Sequence, residues 1–218
     1  MRNCCSSPAA PTAKQFDAAR AARDLAAYHK TGPGRTTRGL LQGLAATGVH
    51  PDTLLDVGAG IGTLSFELLG AGVASATCID ISAASVNGGE AEAQRRGVAH
   101  RMSWQAADFV EIASSVPPAD VVTLDRVVCC YPGYQALLHH AADHARVLLA
   151  MSYPRDRWHV RWMLAAENLF RQLRGNAFRA FVHPMAEMER VLLQAGFQRV
   201  SHTASLVWRM DVFRRNAT

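Results

Sequence analysis

Residues 54–69 read LLDVGAGIGTLSFELL and decide the fold. Apolar residues lead into Asp56, three glycines alternate at Gly58, Gly60 and Gly62, and an apolar segment follows. A strand that ends in a glycine turn and continues into a helix is typical of a ligand-binding loop, because glycine accepts positive φ and has no Cβ to block a ligand. The amino end of the helix then offers unpaired N–H groups and a positive dipole.

The spacing of the glycines indicates which ligand the loop binds. A dinucleotide site has the pattern G-x-G-x-x-G, whereas this loop has D-x-G-x-G-x-G. A carboxylate before the first glycine would repel a pyrophosphate and suit a cofactor with cationic ammonium and sulfonium centres. The loop resembles motif I of the class I S-adenosylmethionine-dependent methyltransferases; a nicotinamide site and a purely structural turn are the alternatives. The resemblance implies cofactor contacts at Asp56, Gly58, Ala59, Gly60 and Gly62.

The second predicted strand supports a nucleoside ligand. Residues 75–81 read SATCIDI, which is typical of a buried strand that ends near Asp80, about 20 residues beyond the glycines. A carboxylate at this strand end can accept both ribose hydroxyls of an adenosyl group. Dehydrogenases share this feature, so Asp80 does not separate the two classes, and a solvated turn aspartate is the alternative. Ile81 is predicted as a neighbouring cofactor contact.

The third predicted strand, residues 101–107, is followed by Asp108 and Phe109. In the methyltransferases that this chain resembles, an acid at this place commonly receives the adenine amino group, and an apolar neighbour packs on the ring. The resemblance therefore implies that Asp108 and Phe109 bind the adenine. A helix N-cap is the alternative for Asp108, and both roles are compatible.

The fourth predicted strand, residues 119–124, runs into the segment DRVVCCYP. The carboxyl end of this strand borders the switch point at which open α/β sheets bind ligands. Asp125 is therefore predicted at the methionine end of the cofactor or at the substrate mouth. Tyr131 is predicted to line the pocket or to orient the acceptor.

Basic side chains after the fifth predicted strand, residues 145–152, are candidates for acceptor chemistry. His183 is a candidate base because it lies in a loop and because an acceptor of high pKa needs one. Arg155 and Arg157 are candidates to clamp a carboxylate or phosphate of the substrate, with a surface ion pair as the alternative. The predicted catalytic residues are therefore Asp125, Tyr131 and His183. The predicted substrate contacts are Tyr131, Arg155 and His183.

Alternating strands and helices, followed by two terminal strands, predict an α/β fold with a Rossmann-like, mostly parallel seven-stranded sheet and helices on both faces. Two helices are predicted before the first strand, over residues 16–28 and 35–47. They are expected either to cap the cofactor site or to pack as plain amphipathic helices. Residues 1–50 are accordingly predicted as a tail with a helical cap, and residues 51–218 as the catalytic domain.

Composition narrows the class of partner. The 218-residue chain has a net charge of +5, but its arginines are scattered, whereas a nucleic-acid surface has a clustered basic patch.

The five cysteines have no zinc-binding spacing, so no metal is expected. They are Cys4, Cys5, Cys78, Cys129 and Cys130. The last two are interpreted as small apolar filler, with metalloid binding as the alternative. No stretch is long enough to span a membrane. We expect a cytoplasmic enzyme, monomeric or homodimeric, that acts on a small molecule.

A finer resemblance rests on the segments YHKTGPGRTT, LDRVVCCYP, MSYPRDRW and FVHP. They resemble a bacterial group of small methyltransferases that is similar to magnesium-protoporphyrin IX O-methyltransferases. Residues 125–130 depart from the porphyrin enzymes, which argues against a porphyrin acceptor. The main hypothesis is S-adenosylmethionine-dependent O- or N-methylation of a small molecule.

Four alternatives stay open beside the main hypothesis. They are a porphyrin carboxylate O-methyltransferase, a nicotinamide-dependent oxidoreductase, a non-catalytic adenosyl-binding module and a nucleic-acid methyltransferase. The oxidoreductase is disfavoured because no chain remains for its catalytic region. The nucleic-acid enzyme is disfavoured because Cys130, Tyr131 and Pro132 replace the N-P-P-aromatic motif of exocyclic amine methylation.

Overall fold

The computed structural model describes residues 9–217, so the first part of the predicted tail, with Cys4 and Cys5, lies outside the described residues. Three helices precede the first strand: α1 (Ala9–Gln15), α2 (Ala18–Thr31) and α3 (Arg35–Ala45). The later helices are α4 (Thr63–Gly70), α5 (Ala83–Arg95), α6 (Phe109–Ile112), α7 (Tyr134–His144), α8 (Trp158–Leu173) and α9 (Met185–Gln194). The strands are β1 (Thr53–Val57), β2 (Ser75–Asp80), β3 (Met102–Ala106), β4 (Ala119–Asp125), β5 (Ala145–Pro154), β6 (Phe197–Ala204) and β7 (Trp208–Arg215).

The strands form one sheet in the order β3-β2-β1-β4-β5-β7-β6. The first five strands are parallel, and β7 runs antiparallel to both β5 and β6. The predicted mostly parallel, seven-stranded Rossmann-like sheet is therefore confirmed. The terminal strands form an antiparallel hairpin, but β7 is not an edge strand. Its residues 210–213 are buried, whereas β6 is largely exposed, so the more apolar strand occupies the interior position.

Helices cover both faces of the sheet, as predicted. Leu55 and Val57 of β1 point toward the face covered by α6, α7 and α9. Leu54 points to the opposite face and packs with α3 and α4. This alternation follows from the two-residue period of a strand, and it explains why buried parallel strands read as continuous apolar runs.

The N-terminal helices are more broken than the sequence predicts. The helix predicted to start at residue 16 begins instead at Ala18, because Asp17 is its N-cap and its Oδ1 accepts a hydrogen bond from Arg20 N at 2.8 Å. Helix α1 precedes this cap as a separate element. A side-chain oxygen that accepts an otherwise unpaired N–H is a strong helix-start signal.

Helix α2 is held against α5 by a buried polar cluster. Glu92, whose side chain is 1% exposed, lies 2.6 Å from Arg96, 2.7 Å from Arg95 and 3.0 Å from His29. These cationic and hydrogen-bonding partners hold the pKa of the Glu92 carboxyl well below its usual range. Tyr28 of α2 also donates a hydrogen bond to Glu67 of α4 at 2.7 Å. The N-terminal segment is therefore fastened to the rest of the fold.

Candidate active site

A cavity of about 530 Å³ lies at the carboxyl ends of the parallel strands. Its walls include the glycine loop after β1, the ends of β2 and β4, and the segment after β3. Phe16, Arg20 and Tyr28 from the N-terminal segment also line it. The N-terminal segment therefore contributes to the cavity wall as well as packing against α5, and its role as a cap over the cofactor site stays a prediction.

The glycine loop is pinned to the neighbouring strand. The backbone N–H groups of Gly58 and Ala59 donate to Ile79 O at 2.7 and 3.1 Å. A Cβ at Gly60 would meet no atom within 4 Å, since this residue lines the cavity. Gly62, which was predicted as a cofactor contact, is not among the described residues that line the cavity. It is the N-cap of α4 and faces the ring of Trp104.

Asp56 lies at the cavity wall with both carboxylate oxygens engaged. Ser65 Oγ donates to Oδ2 and Thr123 Oγ1 donates to Oδ1, each at 2.7 Å. The residue is 2% exposed, and this burial raises the pKa of its carboxyl to about 7. Asp56 thus ties β1 to α4 and β4, and a nearby cation would favour the ionised form of its carboxyl.

Asp80 fixes the glycine loop from the end of β2. Its Oδ2 accepts from Gly60 N and its Oδ1 from Ser82 N, both at 2.8 Å. Burial raises the pKa of this carboxyl as well, although the two backbone donors oppose the rise. The carboxylate lines the cavity and sets the position of the Gly60 backbone.

Asp108 joins two segments of the cavity wall. It is the N-cap of α6, since its Oδ1 accepts from Val110 N at 3.0 Å. Tyr131 Oη donates to the same carboxylate at 3.1 and 3.2 Å. Phe109 is buried beside it, in edge-on contact with the His144 ring at 5.4 Å. The N-cap alternative for Asp108 is therefore correct, and Asp108, Phe109 and Tyr131 all line the cavity.

Asp125 connects the end of β4 to the N-terminal cap. Thr37 Oγ1 of α3 donates to its Oδ2 at 2.6 Å, and Ser152 Oγ of β5 donates to its Oδ1 at 2.5 Å. The Asp125 carboxylate lines the cavity. Three separate parts of the chain therefore meet at this position.

Arg126, which sequence reasoning missed, follows in the left-handed region with φ of 63°. It is the single described residue other than glycine with positive φ. Its N–H donates to Ser152 Oγ at 2.8 Å. Its carbonyl accepts from the thiols of Cys129 and Cys130 at 3.4 and 3.5 Å. The adjacent cysteines thus help to hold a strained turn, and strain of this kind concentrates at functional sites.

Replacing Arg126 with glycine is expected to raise the free energy of unfolding by about 1 kcal/mol, because glycine adopts this conformation without a Cβ penalty. Arg126→Ala is the matched control, since it removes the same side chain and keeps the strain. Urea denaturation of the three proteins measures the effect. Equal stability of the glycine and alanine variants would show that the turn is not strained.

The predicted base His183 lies outside the set of described residues that line the cavity. Its ring packs on Tyr134 with 4.2 Å between ring centroids, and it also stacks on Phe181. Its Nε2 is 3.0 Å from Val128 O, and since a carbonyl can only accept, that nitrogen carries the proton. Burial lowers the pKa of the imidazole. His183 therefore supports the 128–131 turn from behind.

The two arginines predicted as a clamp also lie off the cavity wall. Arg155 donates to Ser205 O at 2.9 Å and so ties the end of β5 to the β6–β7 turn. Arg157 is exposed at the start of α8. Among residues 9–217, the structure brings together Asp56, Gly58, Ala59, Gly60, Asp80, Ile81, Asp108, Phe109, Asp125 and Tyr131.

The sheet order, together with the glycine loop at the ligand-binding edge, defines a Rossmann-like methyltransferase fold. A family model described as a methyltransferase domain matches residues 25–202, and the chain belongs to that family. A comparison with curated protein sequences gave no match.

Solved structures agree with this fold. A magnesium protoporphyrin IX methyltransferase from Synechocystis PCC 6803, with bound SAM, is similar over 98% of this chain and 100% of its own, with a TM-score of 0.73 and 20% identity. The N-methyltransferase NodS from Bradyrhizobium japonicum WM9, in complex with S-adenosyl-L-homocysteine, covers 83% of this chain and 86% of its own, with a TM-score of 0.60 and 14% identity. The predicted class is confirmed, and so is the predicted likeness to magnesium-protoporphyrin methyltransferases at the level of the fold.

Proposed function

We propose that the protein transfers a methyl group from S-adenosylmethionine to an oxygen or nitrogen of a small-molecule acceptor. The observation that carries the proposal is the juxtaposition of Gly60, Asp80 and Asp108 on one cavity wall. This is the edge at which open α/β sheets bind ligands. The family match and the cofactors bound in the similar structures support the same cofactor here.

The cavity fits S-adenosylmethionine in four respects. The open space at Gly60 permits close approach of a ligand to the backbone. The Asp80 carboxylate lies beside that space and can accept ribose hydroxyls, while its backbone partners hold it in place. Asp108 and Phe109 offer an acceptor and an apolar face for the adenine. Asp56 supplies negative charge for the cationic methionine end.

S-adenosylmethionine supplies a methyl group on a positively charged sulfur, which is already a strong electrophile. The protein therefore has to hold an acceptor atom in line with that methyl, and such positioning is worth about 7–11 kcal/mol in ideal systems. Asp125 and Tyr131 are the residues we assign to this part of the cavity. Burial and the Asp108 carboxylate raise the pKa of Tyr131, so its phenol stays protonated and donates to Asp108 rather than acting as a base.

Arg126 supports an acceptor that carries a carboxylate. Its exposed side chain belongs to the cavity lining, and its guanidinium makes no salt bridge with a carboxylate of residues 9–217. A carboxylate acceptor needs a counter-charge and no base, which agrees with the position of His183 away from the cavity. Aromatic carboxylates are therefore the first acceptors to screen.

Calorimetric titration with S-adenosylmethionine and S-adenosylhomocysteine, with NADH as the control, tests the cofactor. We expect micromolar binding of both adenosyl ligands and none of NADH. Binding of NADH alone would overturn the assignment. A screen for methyl transfer from radiolabelled cofactor then separates an enzyme from a non-catalytic adenosyl-binding module, since the module would bind both ligands without turnover.

The affinity for S-adenosylmethionine is expected to rise with pH through the Asp56 pKa of about 7. In the ligand-free fold this pKa lies above the unfolded value, so ionising Asp56 costs stability as the pH rises from about 4 through 7. A bound cation favours the ionised form of Asp56, so ligand binding is coupled to the loss of one proton. The affinity for S-adenosylmethionine should therefore rise by up to about tenfold between pH 6 and 8. Calorimetry across this range measures the gain, and Asp56→Asn should remove it. An unchanged pH slope in that variant would exclude Asp56 as its source.

A further inference from the structure

Helix α8 presents an unusual outer surface. Six of its large apolar side chains are solvent-exposed: Trp158 by 74%, Trp162 by 72%, Met163 by 44%, Leu169 by 58%, Phe170 by 52% and Leu173 by 78%. A surface helix normally turns its apolar stripe toward the core. Within α8, only Val160 and Leu164 are buried.

The exposed residues form a continuous stripe. Positions 158, 162, 169 and 173 fall on one face of the helix at a period of 3.6 residues. Leu206, which is 73% exposed in the β6–β7 turn, extends this stripe, because its carbonyl lies 3.3 Å from His159 Nε2. We call the six α8 residues together with Leu206 the α8 face. Contiguous apolar surfaces of this kind mark binding sites.

The charge around the α8 face is strongly positive. Residues 155–179 contain six arginines and two carboxylates, a net charge of +4 within a chain whose total is +5. Four of these arginines form no salt bridge with a carboxylate of the described residues, namely Arg155, Arg157, Arg174 and Arg179. Exposed tryptophans and leucines flanked by arginines are typical of helices that lie in the interface of a membrane.

The apolar surface and the positive charge of the α8 face distinguish between the partners that could bind to it. A second copy of the chain would bring two surfaces of the same positive charge together, which opposes association. Residues 1–8 contain one large apolar side chain, Met1, against seven on the α8 face. An anionic lipid bilayer offers an apolar interior to the stripe and negatively charged headgroups to the arginines. No helix within residues 9–217 is long and apolar enough to cross a bilayer, so the contact is peripheral.

We propose that the α8 face docks on the surface of an anionic lipid bilayer, with its tryptophans and leucines inserted at the level of the headgroups. The inner side of α8 contributes Leu164, Glu167 and Arg171 to the cavity wall. The same helix therefore separates the cavity from the docked membrane. The proposal concerns the outer surface of the protein and stands independently of which acceptor is methylated.

Co-sedimentation of the full chain with vesicles tests the proposal. Vesicles of phosphatidylcholine alone are compared with equimolar phosphatidylcholine and phosphatidylglycerol. We expect binding to the anionic vesicles, weakened by salt, and little binding to the neutral ones. Replacing Trp158 and Trp162 together with serine should lower the partition coefficient by about tenfold or more, because both side chains are lost from the interface.

Charge variants and matched controls complete the test. Arg157→Gln and Arg174→Gln should each lower partitioning about fivefold. Leu193→Ser and Arg190→Gln alter exposed residues of α9 and should leave partitioning unchanged. Circular dichroism checks that each variant is folded, and since the altered residues are exposed, no loss of fold is expected.

Three outcomes would overturn the proposal. One is the failure of the wild type to bind anionic vesicles. Another is equal binding by the wild type and the double tryptophan variant. The third is a concentration-dependent dimer, seen by light scattering, that the tryptophan substitutions dissociate, since it would assign the α8 face to a second copy of the chain.

Discussion

Replacing Asp80 with alanine is expected to lower the affinity for S-adenosylmethionine and S-adenosylhomocysteine by about 100-fold or more, as measured by calorimetry. The variant removes the carboxylate that we assign to the ribose, and it frees the N–H groups of Gly60 and Ser82. Hydrogen bonds to a charged group are worth about 1.5–3 kcal/mol each, and a loss of about 2.7 kcal/mol is a hundredfold change in affinity.

A second variant of Asp80 separates its proposed contact with the ribose from its support of the glycine loop. Asp80→Asn keeps one oxygen for the loop and loses the charge, so it should bind more weakly than the wild type and more tightly than alanine. Asp80→Ala with unchanged affinity would remove the ribose assignment and weaken the proposed cofactor.

Replacing Gly62 with alanine is expected to lower the free energy of unfolding by about 2–5 kcal/mol. Gly62 has φ of 80°, and a Cβ there would lie 2.5 Å from the Trp104 ring. The left-handed conformation costs a non-glycine residue about 1–2 kcal/mol, and overpacking costs about 1–3 kcal/mol more. Gly60→Ala is the matched control, because its φ of 57° carries the strain while its Cβ meets nothing within 4 Å.

Urea denaturation of both variants, in the wild type and in a Trp104→Leu background, measures the two contributions separately. Trp104→Leu should relieve the overpacking at Gly62 and leave the cost at Gly60 unchanged, which a double-mutant cycle reports as a coupling. Gly60→Ala should instead lose affinity for S-adenosylmethionine, since its Cβ enters the space assigned to the ligand. Equal destabilisation by both substitutions in both backgrounds would contradict a role for Trp104.

The Trp104 contacts illustrate what local patterns do not report. Gly89 lies within helix α5, which a glycine destabilises, and no sequence pattern explains why a glycine stands there. In the structure, a Cβ at Gly89 would lie 2.2 Å from the Trp104 ring, which wedges between this residue and Gly62. Gly62 is the N-cap of α4, Gly89 lies within α5, and the tryptophan belongs to β3. The parallel pairing of β1 with β2 and of β2 with β3 brings them together.

The candidate site residues also differ in whether local sequence patterns could predict their positions. The positions of Asp56 and Asp80 at the cavity were predictable because each stands at a fixed distance along the chain from the glycine loop. His183 was predicted as a base because it lies in a loop. Loop position does not report whether a side chain is buried, and in the structure the His183 ring packs on Tyr134. Arg126 gave no signal, because its positive φ depends on Ser152 of another strand.

The sequence by itself determined the class of fold, the order of strands and helices and the glycine loop. These properties follow from the two-residue and 3.6-residue periods and from the backbone freedom of glycine, which act over a few neighbouring residues. The tertiary structure alone decided that β7 is interior, that Thr37 reaches Asp125 and that the α8 face points outward. Those outcomes depend on which distant surfaces bury the most apolar area and pair the most polar groups, and no local pattern records that choice.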